Sequence, residues 1–132
     1  MKFMLDTNIC IHVIKNRPES VLSRFTEHTP QDMCISTITL AELEYGVCKS
    51  AFPERNRLAL TLFLSGITVV PFDSSAAIEY GNIRTALEAK GTPIGPNDML
   101  IAAHAKSLGL SIITNNTREF ARVDGLSLEN WV

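Results

Sequence analysis

The segment Lys2-Phe3-Met4-Leu5-Asp6-Thr7-Asn8 joins a short apolar run directly to a carboxylate. The apolar residues predict a buried β-strand over Lys2–Leu5. In an open parallel α/β sheet, ligands and reacting groups gather just beyond the carboxyl ends of the strands. Asp6 is therefore predicted to stand at such an end, although an aspartate there is equally suited to cap the helix that follows.

Three more short apolar runs have the composition of buried parallel strands. They are Met33–Ser36, Thr68–Val70 and Ser111–Thr114. The stretches between them read as helices, because apolar residues recur at spacings of three and four. This alternation predicts an α/β fold with a largely parallel central sheet flanked by helices, and a single domain over residues 1–132.

Two of the helices have clear start and stop signals. One is predicted after Phe72, with Ser74 or Ser75 as its N-cap and Gly91 closing its carboxyl end. Another is predicted to begin near Pro96 and to run to about Ser107. The second of these helices matters for function, because it carries an acid in its first turn.

The composition excludes several classes of protein. Of the 132 residues, 45% are hydrophobic and 20% are charged, as in a globular domain and unlike a disordered chain. The net charge of −2 argues against a strongly basic, non-specific nucleic-acid binder. No apolar run approaches the roughly 20 residues needed to cross a bilayer, and the first apolar run is too short for a signal peptide, so we expect a cytoplasmic protein.

Cysteine and histidine offer no metal-binding pattern. Cys10, Cys34 and Cys48 lack CxxC spacing, which excludes both structural zinc and a disulfide framework. The three histidines are scattered, and His104 lies in an alanine-rich helix, where we expect a packing or surface residue and not a catalyst. The chemistry must therefore depend on other side chains.

Three acids stand in comparable places: Asp6 after the first strand, Glu42 in a helix after a strand, and Asp98 at a helix start. Each has an ordinary explanation: a cap, a solvated glutamate, and an acid favoured by the helix dipole. Gathered at one sheet edge, however, they would repel one another unless a cation or a proton neutralised them. Ligands that are all oxygen favour Mg²⁺ or Mn²⁺. Such a site suits phosphodiester hydrolysis, because the ion activates water and stabilises charge on the leaving oxygen.

Four motifs of the chain, which occur in the same order as in the family, resemble those of the PIN-domain ribonucleases, and specifically the VapC toxins of VapBC toxin–antitoxin systems. The motifs are Met4–Asn8, Leu40–Gly46, Pro96–Ala105 and Ile113–Phe120. Each is weak alone, but together they cover nearly the whole chain.

The resemblance implies that Asp6, Glu42 and Asp98 surround the scissile phosphate, with Asp6 and Asp98 as the primary ligands of Mg²⁺ or Mn²⁺. Many members have a fourth acid where this chain has Asn116, which offers a neutral oxygen or a hydrogen bond but no charge. We expect Glu119 to supply the missing charge if this segment turns helically. Thr7, Asn8 and Thr114 are expected to orient the acids.

The resemblance also implies a substrate and partners. The Thr-Asn-Asn-Thr-Arg-Glu-Phe run at 114–120 and Trp131 resemble enteric-type VapC enzymes, which implies cleavage of initiator tRNA in the anticodon stem-loop and an arrest of translation. It implies a homodimer that forms a hetero-oligomer with a VapB-type antitoxin. The antitoxin's tail would lie over the acidic site.

Three other functions are compatible with parts of the sequence. A haloacid-dehalogenase-type phosphotransferase also begins with an aspartate after its first strand, but it needs a second aspartate where this chain has Asn8. A non-catalytic RNA- or protein-binding module on the same fold is favoured by Asn116. A housekeeping nuclease without an antitoxin would have the same acids.

Overall fold

The computed structural model describes residues 1–132 and contains five strands, seven α-helices and one 3-10 turn at Pro30–Asp32. The strands are β1 (Phe3–Leu5), β2 (Met33–Ser36), β3 (Thr68–Val70), β4 (Ser111–Ile113) and β5 (Leu128–Glu129). The helices are α1 (Thr7–Ile14), α2 (Glu19–Thr26), α3 (Thr37–Lys49), α4 (Pro53–Leu64), α5 (Ser74–Lys90), α6 (Pro96–Ser107) and α7 (Thr117–Phe120).

The five strands form one sheet in the order β3-β2-β1-β4-β5, and every neighbouring pair is parallel. The predicted α/β class and parallel sheet are confirmed. β1 occupies the centre, with Phe3 beside Met33 on one side and Ser111 on the other. Because all strands run the same way, the residues that follow β1, β2 and β4 meet at one edge.

Four details differ from the prediction. β1 begins at Phe3 and not at Lys2, and β4 ends at Ile113, so that Thr114 is left just beyond the strand. The α5 cap is the Asp73 carboxylate, which accepts from the amide of Ala76, and not Ser74 or Ser75. β5 was not predicted, because a strand of two residues is too short to show a periodic pattern.

Helices cover both faces of the sheet. Alternate strand residues point to opposite sides, so each strand contributes side chains to two cores. Met4, Cys34 and Ile112 belong to a core that includes residues of α5 and α6. Their neighbours Leu5 and Ile113 belong to a second core that includes residues of α1, α3 and α4. The two cores fix both helical layers to the same short strands, as the predicted flanking helices require.

A buried polar contact joins the two layers close to the edge where the acids were predicted. Ser36 ends β2 and caps α3, and its hydroxyl lies 2.8 Å from Nδ1 of His104 on α6. Burial lowers the pKa of His104, which favours the neutral ring. His104 is 1% exposed and packs edge-on against Phe72, so the predicted packing role is confirmed.

None of the helices is both long enough and apolar enough to span a bilayer.

Truncating a core side chain tests the two-layer packing. Leu87→Ala removes a residue that is 2% exposed in the core between α5, α6 and the sheet. We expect the free energy of unfolding to fall by about 2–5 kcal/mol, because the lost burial is compounded by a cavity. Urea denaturation measures it.

The matched control is Leu58→Ala, at a leucine of α4 that is 61% exposed. We expect a change within about 0.5 kcal/mol there, since a surface substitution removes no packed contacts. Equal losses in both variants would contradict the described packing.

Candidate active site

Asp6 lies immediately after β1 and is 3% exposed. Its Oδ1 accepts from the backbone amide of Ile9 at 2.9 Å, so it does cap α1. Its Oδ2 accepts from the hydroxyl of Thr114 at 2.5 Å. Burial raises the pKa of Asp6, while the bonds from Thr114 and Ile9 act in the opposite direction. The capping and site interpretations of Asp6 are therefore compatible, since one carboxylate makes both contacts.

Glu42 lies on the second turn of α3 and is half-buried. The hydroxyl of Thr7, the first residue of α1, donates to its Oε1 at 2.6 Å. This bond holds Glu42 beside the amino end of α1, one residue from Asp6. The solvated-glutamate alternative is thus wrong, because the side chain turns towards the sheet edge. Thr7 orients an acid, as predicted.

Asp98 lies in the first turn of α6, where the other acids create a negative electrostatic potential. Its pKa is raised to about 6, first by burial and then by the charges of Asp6, Glu119 and Glu42. A Cβ atom at Gly95 would stand 3.6 Å from its Oδ2, so the chain passes close to this carboxylate. The three predicted acids are therefore brought together at one edge of the sheet.

Asn116 lies in the loop between β4 and α7 and contacts this group. Its amide Nδ2 donates to Oε2 of Glu119 at 2.9 Å and lies 3.4 Å from Oδ2 of Asp98. Its backbone amide donates to the hydroxyl of Thr114, which in turn donates to Asp6. The structure thus places an amide donor, and not an acceptor oxygen, between two carboxylates. Glu119 lies on α7 and joins the acids through this contact, as the helical turn predicted.

The arrangement is an acidic cluster without a fully formed metal cage. No three His, Cys, Asp or Glu side chains of the chain lie close enough together to constitute one. Mg²⁺, however, keeps several waters and is usually held by one or two carboxylates together with substrate phosphates. Oxygen donors and uncompensated negative charge around Asp98 fit such an ion.

Two contacts at the site have no signal in the sequence. The Thr7–Glu42 bond joins residues 35 apart, and the Ser36–His104 pair joins residues 68 apart. No local pattern links such positions, and only the order of strands in the sheet brings them together. Glu44, whose partner could not be predicted, pairs with Arg57 at 2.6 Å.

Known proteins resemble this chain over its full length. Residues 3–126 match the model of the PIN domain. The chain is 53% identical over 131 residues to the tRNA(fMet)-specific endonuclease VapC of Salmonella typhimurium, covering 99% of this chain and 98% of that protein. It is 51% identical over 132 residues to Ribonuclease VapC2 of Haemophilus influenzae, covering 100% and 99%.

Solved structures have the same fold. The structure of DNA-bound VapBC from Salmonella typhimurium contains a chain that superposes with a TM-score of 0.95 at 52% identity, covering 100% of this chain and 99% of that one. VapBC2 from Rickettsia felis, bound to a promoter DNA fragment, gives a TM-score of 0.91 at 43% identity with complete coverage of both chains. With acids at the positions that the resemblance indicated and relatives named as ribonucleases, the chain belongs to the PIN-domain family and, within it, to the VapC ribonucleases.

Proposed function

We propose that this chain is a metal-dependent endoribonuclease and the toxin of a toxin–antitoxin pair. The observation that carries the proposal is the placement of Asp6, Glu42 and Asp98 at one edge of the sheet, where burial and then the charges of Asp6, Glu119 and Glu42 raise the pKa of Asp98 to about 6. Negative charge of this density at a strand edge favours a bound cation. The names of the relatives support RNA as the substrate.

The substrate that we propose is initiator tRNA, cut in its anticodon stem-loop so that translation stops. Support comes from relatives named tRNA(fMet)-specific endonuclease VapC in Salmonella typhimurium and Shigella flexneri, at 53% and 54% identity. An unpaired loop suits sequence-selective recognition, because its bases are free to leave the stack. The proposed partner is a VapB-type antitoxin, since related chains were solved in VapBC complexes, and we propose a homodimer within that complex.

In this mechanism the chain's residues hold and orient the reacting groups. Asp6 and Asp98 would bind Mg²⁺ or Mn²⁺, with Glu42 as a further ligand or as the acid that orients the attacking water. Thr114 and Thr7 keep Asp6 and Glu42 aimed at the phosphate through their hydroxyl donors. When bound, the ion supplies Lewis acidity to the phosphoryl group and lowers the pKa of water. Asn116 donates to both the Asp98 and the Glu119 carboxylates and so lessens the repulsion between them.

Sequencing of RNA ends after brief induced expression tests the activity. We expect one dominant new end in a tRNA anticodon loop for the wild type. Asp98→Asn should reduce this cut by at least about 100-fold, because losing several kcal/mol of charge stabilisation lowers the rate by that factor. A cut of equal intensity with Asp98→Asn would argue for a contaminating nuclease or a different site.

The pH dependence of stability tests the electrostatics of the metal-free protein. The folded state keeps the Asp98 proton up to about pH 6, whereas the ordinary value of the pKa is 3.8. Raising the pH from 4 past 6 therefore costs stability at this residue, since the folded state must accept a charge next to other acids. We expect Asp98→Asn to raise the Tm in EDTA at pH 7.5 and to lose most of this advantage near pH 4.

The matched control is Asp124→Asn, because the Lys90 ammonium lowers the pKa of that exposed carboxyl. The effect of Asp124 on stability has the opposite sign to that of Asp98. The Asp124 carboxylate stabilises the fold at neutral pH, and this benefit fades as the pH falls below the ordinary pKa of an aspartate. An Asp98→Asn variant that is less stable than the wild type at pH 7.5 would contradict the repulsion.

The role of Glu119 is tested by Mn²⁺ binding. Glu119→Gln keeps a hydrogen-bonding group beside Asn116 but removes one negative charge. We expect the Kd for Mn²⁺, measured by calorimetry, to rise about 10- to 100-fold, as is usual when a group supporting a metal ligand is lost. Glu88→Gln, which removes an exposed partner of Arg84 on α5, should leave the Kd unchanged. Equal Kd values for Glu119→Gln and the wild type would remove Glu119 from the site.

A further inference from the structure

One face of α3 extends the acidic site into a cleft. Glu42, Tyr45, Gly46 and Lys49 follow one another at spacings of three, four and seven from Glu42, which places them along the same side of the helix. All four line a cleft of about 670 Å³. Its other lining residues include Thr7, Asn8 and Asn97, so that the cleft begins beside the acids themselves.

Tyr45 is a large aromatic residue that the fold does not use for packing. It is 66% exposed, whereas Leu43 and Val47 on the opposite side of α3 are buried in the core. The Lys49 ammonium lies 4.9 Å from the centre of its ring. The core of the protein does not need Tyr45 or Lys49 in this place, beside the proposed catalytic acids.

The cleft is kept open at Gly46. A Cβ atom at this position would have no neighbour within 4 Å, so the glycine is not required by close packing. Its backbone is helical, where alanine would be more stable than glycine. Tyr45 lines the same cleft, as do Asn8 and Asn97, which are both exposed residues.

We propose that this cleft is a nucleobase subsite of the ribonuclease: Tyr45 stacks on an unpaired base next to the scissile phosphate, and Lys49 contacts a neighbouring phosphate. The inference rests on the proposed function. An aromatic platform, a cation and amide groups are the combination with which proteins bind single-stranded RNA. Along α3, Tyr45 is about 4.5 Å and Lys49 about 10 Å beyond Glu42, so the helix presents carboxylate, ring and cation in the order of phosphate, base and next phosphate.

The test is the steady-state cleavage of an initiator tRNA transcript in Mg²⁺ by the full chain. Tyr45→Ala should raise KM at least about fivefold, because it removes the stacking of one base. Its kcat should stay within about twofold, since the ring does not touch the reacting atoms. Tyr45→Phe should restore the wild-type KM, because the phenyl ring stacks without the hydroxyl. Unchanged KM in Tyr45→Ala would overturn the proposal.

Phe52→Ala is the matched control. Phe52 is also an exposed aromatic residue, at 60%, and it also carries a cation, with the Arg55 guanidinium 4.7 Å from its ring centre. It does not line the cleft. Its removal should leave KM unchanged, and a rise equal to that of Tyr45→Ala would overturn the subsite.

Gly46→Leu fills the cleft with a residue whose helix propensity is higher than that of glycine. We expect the Tm to stay the same or rise, because leucine favours helix more than glycine does. KM should rise by at least about fivefold, since the base can no longer lie against Tyr45. A wild-type KM with this variant would contradict the proposal even if Tyr45→Ala proved unstable.

A fluorescent base separates this inference from the proposed function. The anticodon stem-loop RNA is made with 2-aminopurine next to the expected cut, and its fluorescence is followed on binding. Quenching by the wild type that is lost in Tyr45→Ala and kept in Phe52→Ala supports the subsite, whether or not the RNA is cut. If the wild type cuts no RNA, the proposed function fails. If instead Tyr45→Ala binds RNA normally but loses a VapB-type antitoxin, the cleft belongs to a protein partner and the inference fails.

Discussion

Repulsion between carboxylates at the carboxyl edge of β1 is the constraint on which the rest of the structure depends. Asp6, Glu42, Asp98 and Glu119 come from four different parts of the chain, and the pKa of Asp98 is raised first by burial and then by the charges of the other three. Left alone, such groups would separate. They stay together because both hydrophobic cores fix the elements that carry them, and because hydroxyl and amide donors absorb part of the charge.

Each acid of this cluster accepts a hydrogen bond from a neutral side-chain donor. Thr114 serves Asp6, Thr7 serves Glu42, and Asn116 serves Asp98 and Glu119 together. None of them carries a charge, so the negative potential that attracts a cation is preserved. The amide of Asn116 places a donor between two acids and lessens their repulsion, where a further carboxylate would add to it.

The proposed catalytic acids and the proposed base subsite share one helix. The acids stand on strand ends and helix starts that are held by the sheet, whereas the cleft with Tyr45 and Lys49 follows the exposed face of α3. One helix thus carries both, with Glu42 at its sheet end and Lys49 at its far end. The buried Ser36–His104 contact joins the N-cap of this helix to α6, the helix that carries Asp98.

Much of the fold could be read from the sequence. Short apolar runs and helical spacings determine β1 to β4, α5 and α6, because burial on two faces and the 3.6-residue period leave local signatures. The acids Asp6, Glu42 and Asp98 each stand near a strand end or a helix start, but the resemblance to the PIN-domain ribonucleases is what distinguished them from capping or surface acids. Only the tertiary structure decided that Thr7 holds Glu42, that Asn116 presents its amide nitrogen to two carboxylates, and that Tyr45 faces the acidic edge. Thr7 and Glu42 are 35 residues apart and Asn116 and Asp98 are 18 apart, and the order of parallel strands, which no local pattern encodes, brings both pairs within reach.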